Sequence, residues 1–410
     1  MPTDPWKRAE EIFHEVVDLD SAARDAHLQM ACAGDLALRE EIESLISAHD
    51  ASEAYRRSAA PPVREPEIQR IGPYLVEREL GEGGMGTVFL ASRDDQQYEK
   101  KVAIKLVRAG AGTEAMIHRF LTERQILAGL EHPNIARLLD GALTEAGQPY
   151  LVMDYVVGTR LDVYCDTERL PIRKRVELFR KICLAVTYAH ENLVIHRDLK
   201  PSNILVTEEG EPKLLDFGIA KVLDPVGTAI EHTMTAGLFL TPLYASPELL
   251  RGQKTTVASD VYSLGVILYE LLCGCRPHHA HTGNPADLIN AVITRDPDRP
   301  STAWRALEVA AAEADATPET VALLRGETPD GLRRGLRGDL DGIVMKAIAK
   351  EASERYSSVE QLSEDLRRYL ENQPVQALRG STIYRARKFA RRHKLGVASA
   401  ALVALSLIAG

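Results

Sequence analysis

The sequence has little that would serve oxidative cross-linking: only five of its 410 residues are cysteine. Cys32, Cys165, Cys183, Cys273 and Cys275 are odd in number and scattered. That pattern argues against a disulfide framework and fits reduced thiols in the cytosol. Residues 1–20 do not read as a secretory leader, because Asp4, Lys7, Arg8, Glu10, Glu11 and Glu15 break what would be its apolar stretch, and the N-terminus is expected to stay in the cytosol. Basic charge is in short supply, with 50 Lys and Arg against 59 Asp and Glu and a net charge of -9. This balance argues against nucleic acid as a partner, whose footprint is usually a basic domain. No internal repeat is present.

Apolar residues at 45% and charged residues at 27% describe an ordinary globular chain, long enough to predict two or three units rather than one core. Asp4-Pro5 ahead of Trp6, Ala9, Phe13, Val16 and Val17 reads as a capped amphipathic helix. Ser21 and Asp35 are plausible caps for two more, the second carrying Leu38, Ile42, Leu45 and Ile46. Residues 1–50 are therefore predicted to form a small helical module. Residues 51–70, with Pro61, Pro62 and Pro66 among Ala, Ser and Arg, read as a linker.

From Tyr74 to about Val107, apolar alternation broken by glycines predicts an antiparallel sheet. Helical periods dominate afterwards, as in Val176 to His190 and Val261 to Leu272. The pattern implies an α+β, bilobal domain over 71–372: a small lobe rich in sheet, then a larger helical lobe. Arg385, Arg387, Lys388, Arg391, Arg392 and Lys394 then form a basic segment, 373–394, ahead of an uncharged run from Leu395 to Gly410. That run has 16 residues, short of the roughly 20 a spanning helix needs. The expectation is the start of a transmembrane helix in a piece of a longer membrane protein, with the basic cluster as its cytoplasmic flank. A surface helix with an apolar end is the competing reading.

Three clusters carry the chemistry. Leu80-Gly81-Glu82-Gly83-Gly84-Met85-Gly86-Thr87-Val88 reads as a glycine-rich hairpin whose backbone amides can approach phosphate oxygens with no Cβ in the way. Lys105, in Val102-Ala103-Ile104-Lys105, lies among apolar strand residues where an unpaired ammonium is costly to bury. It calls for anions, and Glu123 in the helical segment Ile117 to Leu130 can supply one. The third cluster is His196-Arg197-Asp198-Leu199-Lys200-Pro201-Ser202-Asn203.

That last segment resembles the catalytic loop of protein kinases almost letter for letter. The resemblance implies that Asp198 accepts the substrate hydroxyl proton, Lys200 neutralises the γ-phosphate of ATP and Asn203 holds one Mg²⁺. Lys105 would then pair with Glu123 and with the α- and β-phosphates. Asp216-Phe217-Gly218 resembles the family's metal-binding sequence, with Asp216 on Mg²⁺ and Phe217 packed against the helix that bears Glu123. Ser246-Pro247-Glu248 resembles its Ala-Pro-Glu, Arg355 the buried partner of Glu248, and Asp260 the helix residue that braces the catalytic loop. Met153, Asp154, Tyr155 and Val156 look like the gatekeeper and adenine-binding hinge, with Val88, Ala103 and Leu205 around the ring.

Lys200 and Thr241 are similar to Ser/Thr rather than tyrosine kinases, although Leu240 stands where the family usually has glycine. Thr233-Met234-Thr235 resembles the autophosphorylation pair of bacterial receptor-type Ser/Thr kinases, where a phosphate can pair with Arg197. Protein substrates, the chain itself as a dimer, and a membrane are the partners this implies. The leader 1–50 resembles one seen ahead of some bacterial kinases and would serve docking or dimerisation. Cys273, Cys275, His278, His279 and His281 are rich in metal ligands, but their spacing matches no standard structural zinc pattern. A nucleotide-binding scaffold is disfavoured because Lys105, Asp198, Asn203 and Asp216 are all present. A small-molecule kinase is disfavoured by Ser246 to Glu248, Asp260 and Arg355.

Overall fold

The computed structural model describes residues 27–28, 31–32, 38–39, 42, 70–83, 86–93, 100–107, 114–217, 242–278, 285–303, 317–378, 384 and 388. Gly84, Met85, Gly218, Thr233, Thr235, Leu240, Thr241, His279, His281 and the run 391–410 lie outside them. The chain divides into two compact units, Met1–Glu67 and Ile68–Gly410, the division falling inside the stretch read as a linker. In the first unit Leu28, Cys32, Leu38 and Ile42 are buried. Each pair is four residues apart, the spacing that puts side chains on one helix face.

The second unit opens with β1 (Arg70–Ile71), β2 (Tyr74–Gly83), β3 (Gly86–Arg93), β4 (Lys101–Val107), β5 (Leu138–Leu143) and β6 (Pro149–Asp154). They make one sheet in the order β1-β2-β3-β4-β6-β5, antiparallel throughout. The period of two sorts the side chains of β4 onto opposite faces. Val102, Ile104 and Leu106 join Tyr74, Phe89 and Val152 in a small core of their own. Ala103 and Val107 belong instead to the main core with Phe120 and Leu127. Lys105, between them, is thereby turned toward the helical side.

α1 (Glu114–Ala128) follows β4, and β6 leads through β7 (Thr159–Arg160) to α2 (Leu161–Thr167) and the long α3 (Ile172–Glu191). β8 (Ile204–Val206) and β9 (Pro212–Leu214) complete a three-stranded sheet with β7. Then come α4 (Pro247–Leu250), α5 (Val257–Cys273), α6 (Pro285–Thr294), α7 (Pro318–Leu323), α8 (Pro329–Leu336), α9 (Asp339–Ala347) and α10 (Val359–Leu370). Among the described residues no helix is long and apolar enough to cross a membrane.

α5 is the axis of the large lobe. It starts on a reciprocal cap between Thr256 and Ser259 and stops at Gly274, whose φ of 73° suits only a residue without Cβ steric cost. Between those ends its Val, Ile, Leu and Tyr side chains are almost all buried. Gly265 lets α9 approach: a Cβ there would stand 2.6 Å from Ile348 Cγ2 and 2.8 Å from Ala347 Cβ.

Two buried arginines finish the C-terminal end of α5. Arg175 donates to the carbonyls of Leu170, Cys165, Leu271 and Leu324, and Arg325 to those of Leu272, Leu271, Val321 and Glu270. Carbonyls that the helix leaves unpaired thus gain charged donors.

After α10 the chain folds back on the lobe. Gln376 and Ala377 donate their backbone N–H groups to the Asp365 carboxylate. Tyr384 donates its hydroxyl to Asp339 Oδ1 at 2.9 Å, and Lys388 pairs with Asp339 Oδ2.

Candidate active site

The segment between α3 and β8 presents the titratable groups, and its backbone is held from below by Asp260 of α5. Asp260 accepts from the backbone N–H of His196 at 2.8 Å and of Arg197 at 3.0 Å, and contacts His190 Nε2 at 2.8 Å. These bonds fix a loop that contains an unfavourable residue: Arg197 has φ 65°, in the left-handed region. His196 is fully buried, and burial lowers its pKa, so the ring is neutral at pH 7. Its Nδ1 accepts from the Asp198 backbone N–H at 3.3 Å, which leaves Nε2–H to donate to the Leu215 carbonyl at 3.0 Å. The ring also packs, tilted, on Phe217, centroids 4.7 Å apart. One imidazole therefore ties the loop to the segment carrying Asp216.

Asp198, Lys200, Asn203, Lys105 and Asp216 converge in two linked groups. Lys200 Nζ lies 2.8 Å from Asp198 Oδ2. Asn203 donates Nδ2–H to the Asp198 carbonyl at 2.8 Å and to Oδ2 at 3.0 Å. Its amide oxygen is thus the end left to accept or to bind a cation. Asp216, itself at φ 51°, pairs with Lys105 at 2.5 Å. The Leu215 N–H donates to the Asn203 carbonyl at 2.8 Å, joining the groups through backbone.

Glu123 lies in α1, within the helical segment read for it, but its partner is a different one. The Lys105–Glu123 pair expected from the resemblance is replaced by two others: Lys105 turns to Asp216, and Glu123 faces Arg197 at 3.9 Å. Lys105 is buried, and Asp216 is the carboxylate within ion-pair reach of it. Phe217 meets His196 at the floor of the cleft and belongs to the same core as Phe120 and Leu127 of α1.

Above this floor, β2 and β3 are paired up to Gly83 and Gly86, with Gly81 opposite Val88 and Glu82 opposite Thr87. A Cβ on Gly86, at φ 142°, would stand 2.0 Å from the Leu106 carbonyl oxygen, so only glycine fits. Leu80, Gly81 and Glu82 are exposed, and nothing lies within 4 Å of a Cβ built on Gly81. Ala103 pairs with Met153 across β4 and β6. Val88 and Leu205 are half-buried, Asp154 is bound by Lys100 at 2.8 Å, and Val156 follows in the loop leading to β7.

The large lobe supplies a second buried charge pair. Arg355 Nη1 and Nη2 each donate to Glu248 at 2.8 Å, and Ser259 Oγ donates to the same carboxylate at 2.7 Å. Burial works against this carboxylate, but the Arg355 and Ser259 hydrogen bonds outweigh it and hold its pKa at about 2. Ser246, Tyr244 and Ser263 line a small cavity with Asp198 and Lys200. Ser259 and His190 were not anticipated as partners; the Thr256-to-Ser259 capping spacing was the available sign for the first. Among the described residues no group of three metal-ligand side chains is gathered. Cys273 Sγ lies 3.5 Å from Cys275 Sγ and donates to the Tyr269 carbonyl.

Residues 74–365 match the protein kinase domain family. The chain belongs to that family. Among similar kinases is the serine/threonine-protein kinase PknB of Mycobacterium tuberculosis, 35% identical over 304 residues. PknB of Mycobacterium leprae is 34% identical over 315 residues, and a probable PknB of Lactococcus lactis 32% over 296. These alignments cover 73%, 74% and 72% of this kinase chain but only 43%, 45% and 41% of the relatives. The chain thus spans less than half the length of the curated relatives it matches. The crystal structure of the Mycobacterium tuberculosis PknI kinase domain, a cysteine-to-alanine mutant, has the same fold. It has a TM-score of 0.50 at 23% identity and covers 73% of this chain and 96% of that one.

Proposed function

We propose that this chain is a Ser/Thr protein kinase that transfers the γ-phosphoryl group of Mg·ATP to protein hydroxyls. The observation that carries the reading is the linked network of Asp198, Lys200, Asn203, Lys105 and Asp216 on the floor of the cleft. Its donor set fits the cofactor: two carboxylates and one amide oxygen are hard oxygen ligands of the kind Mg²⁺ takes, and two ammonium groups stand beside them for phosphate.

In this reading Asp198 accepts the proton as the acceptor oxygen bonds to phosphorus and the bond to the ADP oxygen breaks. Lys200 offsets the charge of the transferring group, while Asn203 and Asp216 would hold Mg²⁺. When bound, that ion neutralises charge developing on the phosphates. Lys105 would leave Asp216 for the α- and β-phosphates and take Glu123 as its carboxylate partner, which requires Glu123 to leave Arg197. Leu80 to Val88 would cover the phosphates. Met153, Asp154 and Val156 would supply the hinge, and Val88, Ala103 and Leu205 the walls around adenine. Such a site works mainly by alignment and cancellation of charge.

Activation by phosphate at Thr233 or Thr235 is part of the proposal, since Arg197 is held near Glu123 and a phosphate would compete for it. Self-phosphorylation in a dimer, the leader 1–50 as a docking module, and an anchor in the cytoplasmic membrane through 395–410 complete it. The basic cluster from Arg385 to Lys394 supports the cytoplasmic side for the kinase domain. The test is phosphosite mapping after incubation with Mg·ATP. Phosphate on Ser and Thr is expected, and activity of Thr233→Ala/Thr235→Ala should fall to the level of phosphatase-treated parent. Phosphotyrosine alone, or full activity of the double variant after phosphatase, would refute the respective parts.

A further inference from the structure

α8 carries a basic edge that the phosphotransfer site does not use. Leu332 and Leu336 are buried, while Arg333, Arg334 and Arg337 are exposed on the opposite arc. Successive positions turn by about 100° in a helix, so these three guanidinium groups lie within one third of its circumference. None of them has a carboxylate within ion-pair distance among the described residues. Asp330, the acidic residue of the element, and Glu327 just ahead of it sit at the N-terminal end. Positive charge is therefore concentrated at the end from which the chain enters α9, in a protein whose net charge is -9.

A second observation lies beside this edge. Asp339, two residues beyond Arg337, binds both Tyr384 and Lys388. Lys388 is 9% exposed, so the clasp is built into the lobe rather than laid on its surface. From Lys388 to Leu395 is seven residues, which reach at most about 25 Å fully extended. If the apolar run enters a bilayer, Lys388 cannot stand farther than that from the headgroups, and Arg337, two residues from its partner Asp339, is held near Lys388. Arg391, Arg392 and Lys394 lie along the tether itself.

We propose that Arg333, Arg334 and Arg337 form a docking face for an anionic lipid surface, and that the Asp339 clasp turns this face toward the membrane. The proposal rests on the anchor reading for the tether, while the docking contact is electrostatic and can be read separately. A lipid headgroup layer is the occupant because the clasp limits the distance to it.

The test uses the full chain with Asp330→Cys, which lies on the same arc. The native cysteines are all buried, so a thiol-reactive fluorophore goes to the new site. Leu193→Cys is the control: Leu193 is 92% exposed and lies past the far end of α3, whose start meets α8 where a Cβ on Gly335 would be 3.3 Å from Ile172. That helix of 20 residues puts the control about 30 Å away. Quenching by spin-labelled lipid is measured in vesicles of phosphatidylcholine alone and with phosphatidylglycerol.

The expected result is quenching at position 330 only with phosphatidylglycerol, suppressed by high salt in the otherwise unaltered protein. It should fall at least about tenfold in Arg333→Gln/Arg334→Gln/Arg337→Gln, since each arginine contributes a several-fold preference for an anionic surface. Resistance of the protein to alkaline washing from neutral vesicles reads the anchor independently. Retention in the washed membrane with equal quenching at 330 and 193, or quenching untouched by salt and by the triple substitution, would overturn the docking face. Loss on washing with salt-sensitive quenching at 330 intact would overturn the anchor and leave the docking face standing.

Discussion

Replacing Arg355 by methionine should be among the most damaging single changes in the large lobe. The guanidinium is 4% exposed. All five of its N–H groups are used: Nε on the Ala349 carbonyl, Nη1 on Glu248 and the Ala258 carbonyl, and Nη2 on Glu248 and the Lys350 carbonyl, at 2.8–2.9 Å. Its carbon also sits 5.0 Å from the centre of the Tyr262 ring. Methionine would leave Glu248 as a buried carboxylate with only Ser259 beside it. Stranding one partner of such a pair costs about 3–5 kcal/mol, against a total domain stability of about 5–15 kcal/mol. Urea unfolding at pH 7 of Arg355→Met, Glu248→Gln and the double variant measures this. The double variant should recover part of the loss, because the stranded charge is gone.

The pH dependence has a definite sign. Glu248 has its pKa lowered from 4.5 to about 2. A depressed carboxyl contributes its full stability above the unfolded value and loses it as pH falls toward the folded one. The gap between parent and Glu248→Gln should therefore be constant above pH 4.5 and close between 4.5 and about 2. An Arg355→Met protein within about 1 kcal/mol of the parent at pH 7 would refute the reasoning, since the burial penalty would then be absent.

Other substitutions probe the frame. Gly265→Ala places a methyl 2.6 Å from Ile348 Cγ2 and 3.2 Å from the Ala347 backbone carbon, and the backbone atom cannot rotate away. A loss of about 1–3 kcal/mol in thermal or urea unfolding is expected, despite the gain in helix propensity. Asp260→Asn replaces one of two acceptor oxygens, each taking a backbone N–H, by an N–H donor. Phosphotransfer should fall about 100-fold with little change in nucleotide affinity, the signature of a misplaced loop.

Much of this was legible from residue order, because the site is built from short contiguous segments. Asp198 to Asn203 fixes its own geometry through a three-residue turn, and the alternation across β4 alone turns Lys105 toward the helices. The Glu248–Arg355 pair was readable because each residue stands in a recognisable local setting. Glu123 was harder: its partner depends on which of two carboxylates holds Lys105, a balance of long-range positions that no spacing encodes. Arg175 and Arg325 were invisible as buried residues, since the first looks like an ordinary charge on an amphipathic helix and the second like one in a turn. The clasp of Tyr384 and Lys388 on Asp339 joins residues 45 and 49 positions apart, with no local signal at either end.

The most direct test of the central claim is transfer of labelled phosphate from Mg·ATP to protein, comparing the parent with Asp198→Asn. The side chain keeps its size and its bonds to Lys200 and Asn203 are largely preserved, but the proton acceptor is gone. Phosphate incorporation should fall about 100-fold or more, in line with the loss of a positioned general base, while nucleotide binding persists. Equal incorporation by the two proteins would contradict the role given to Asp198 and with it the account of the site.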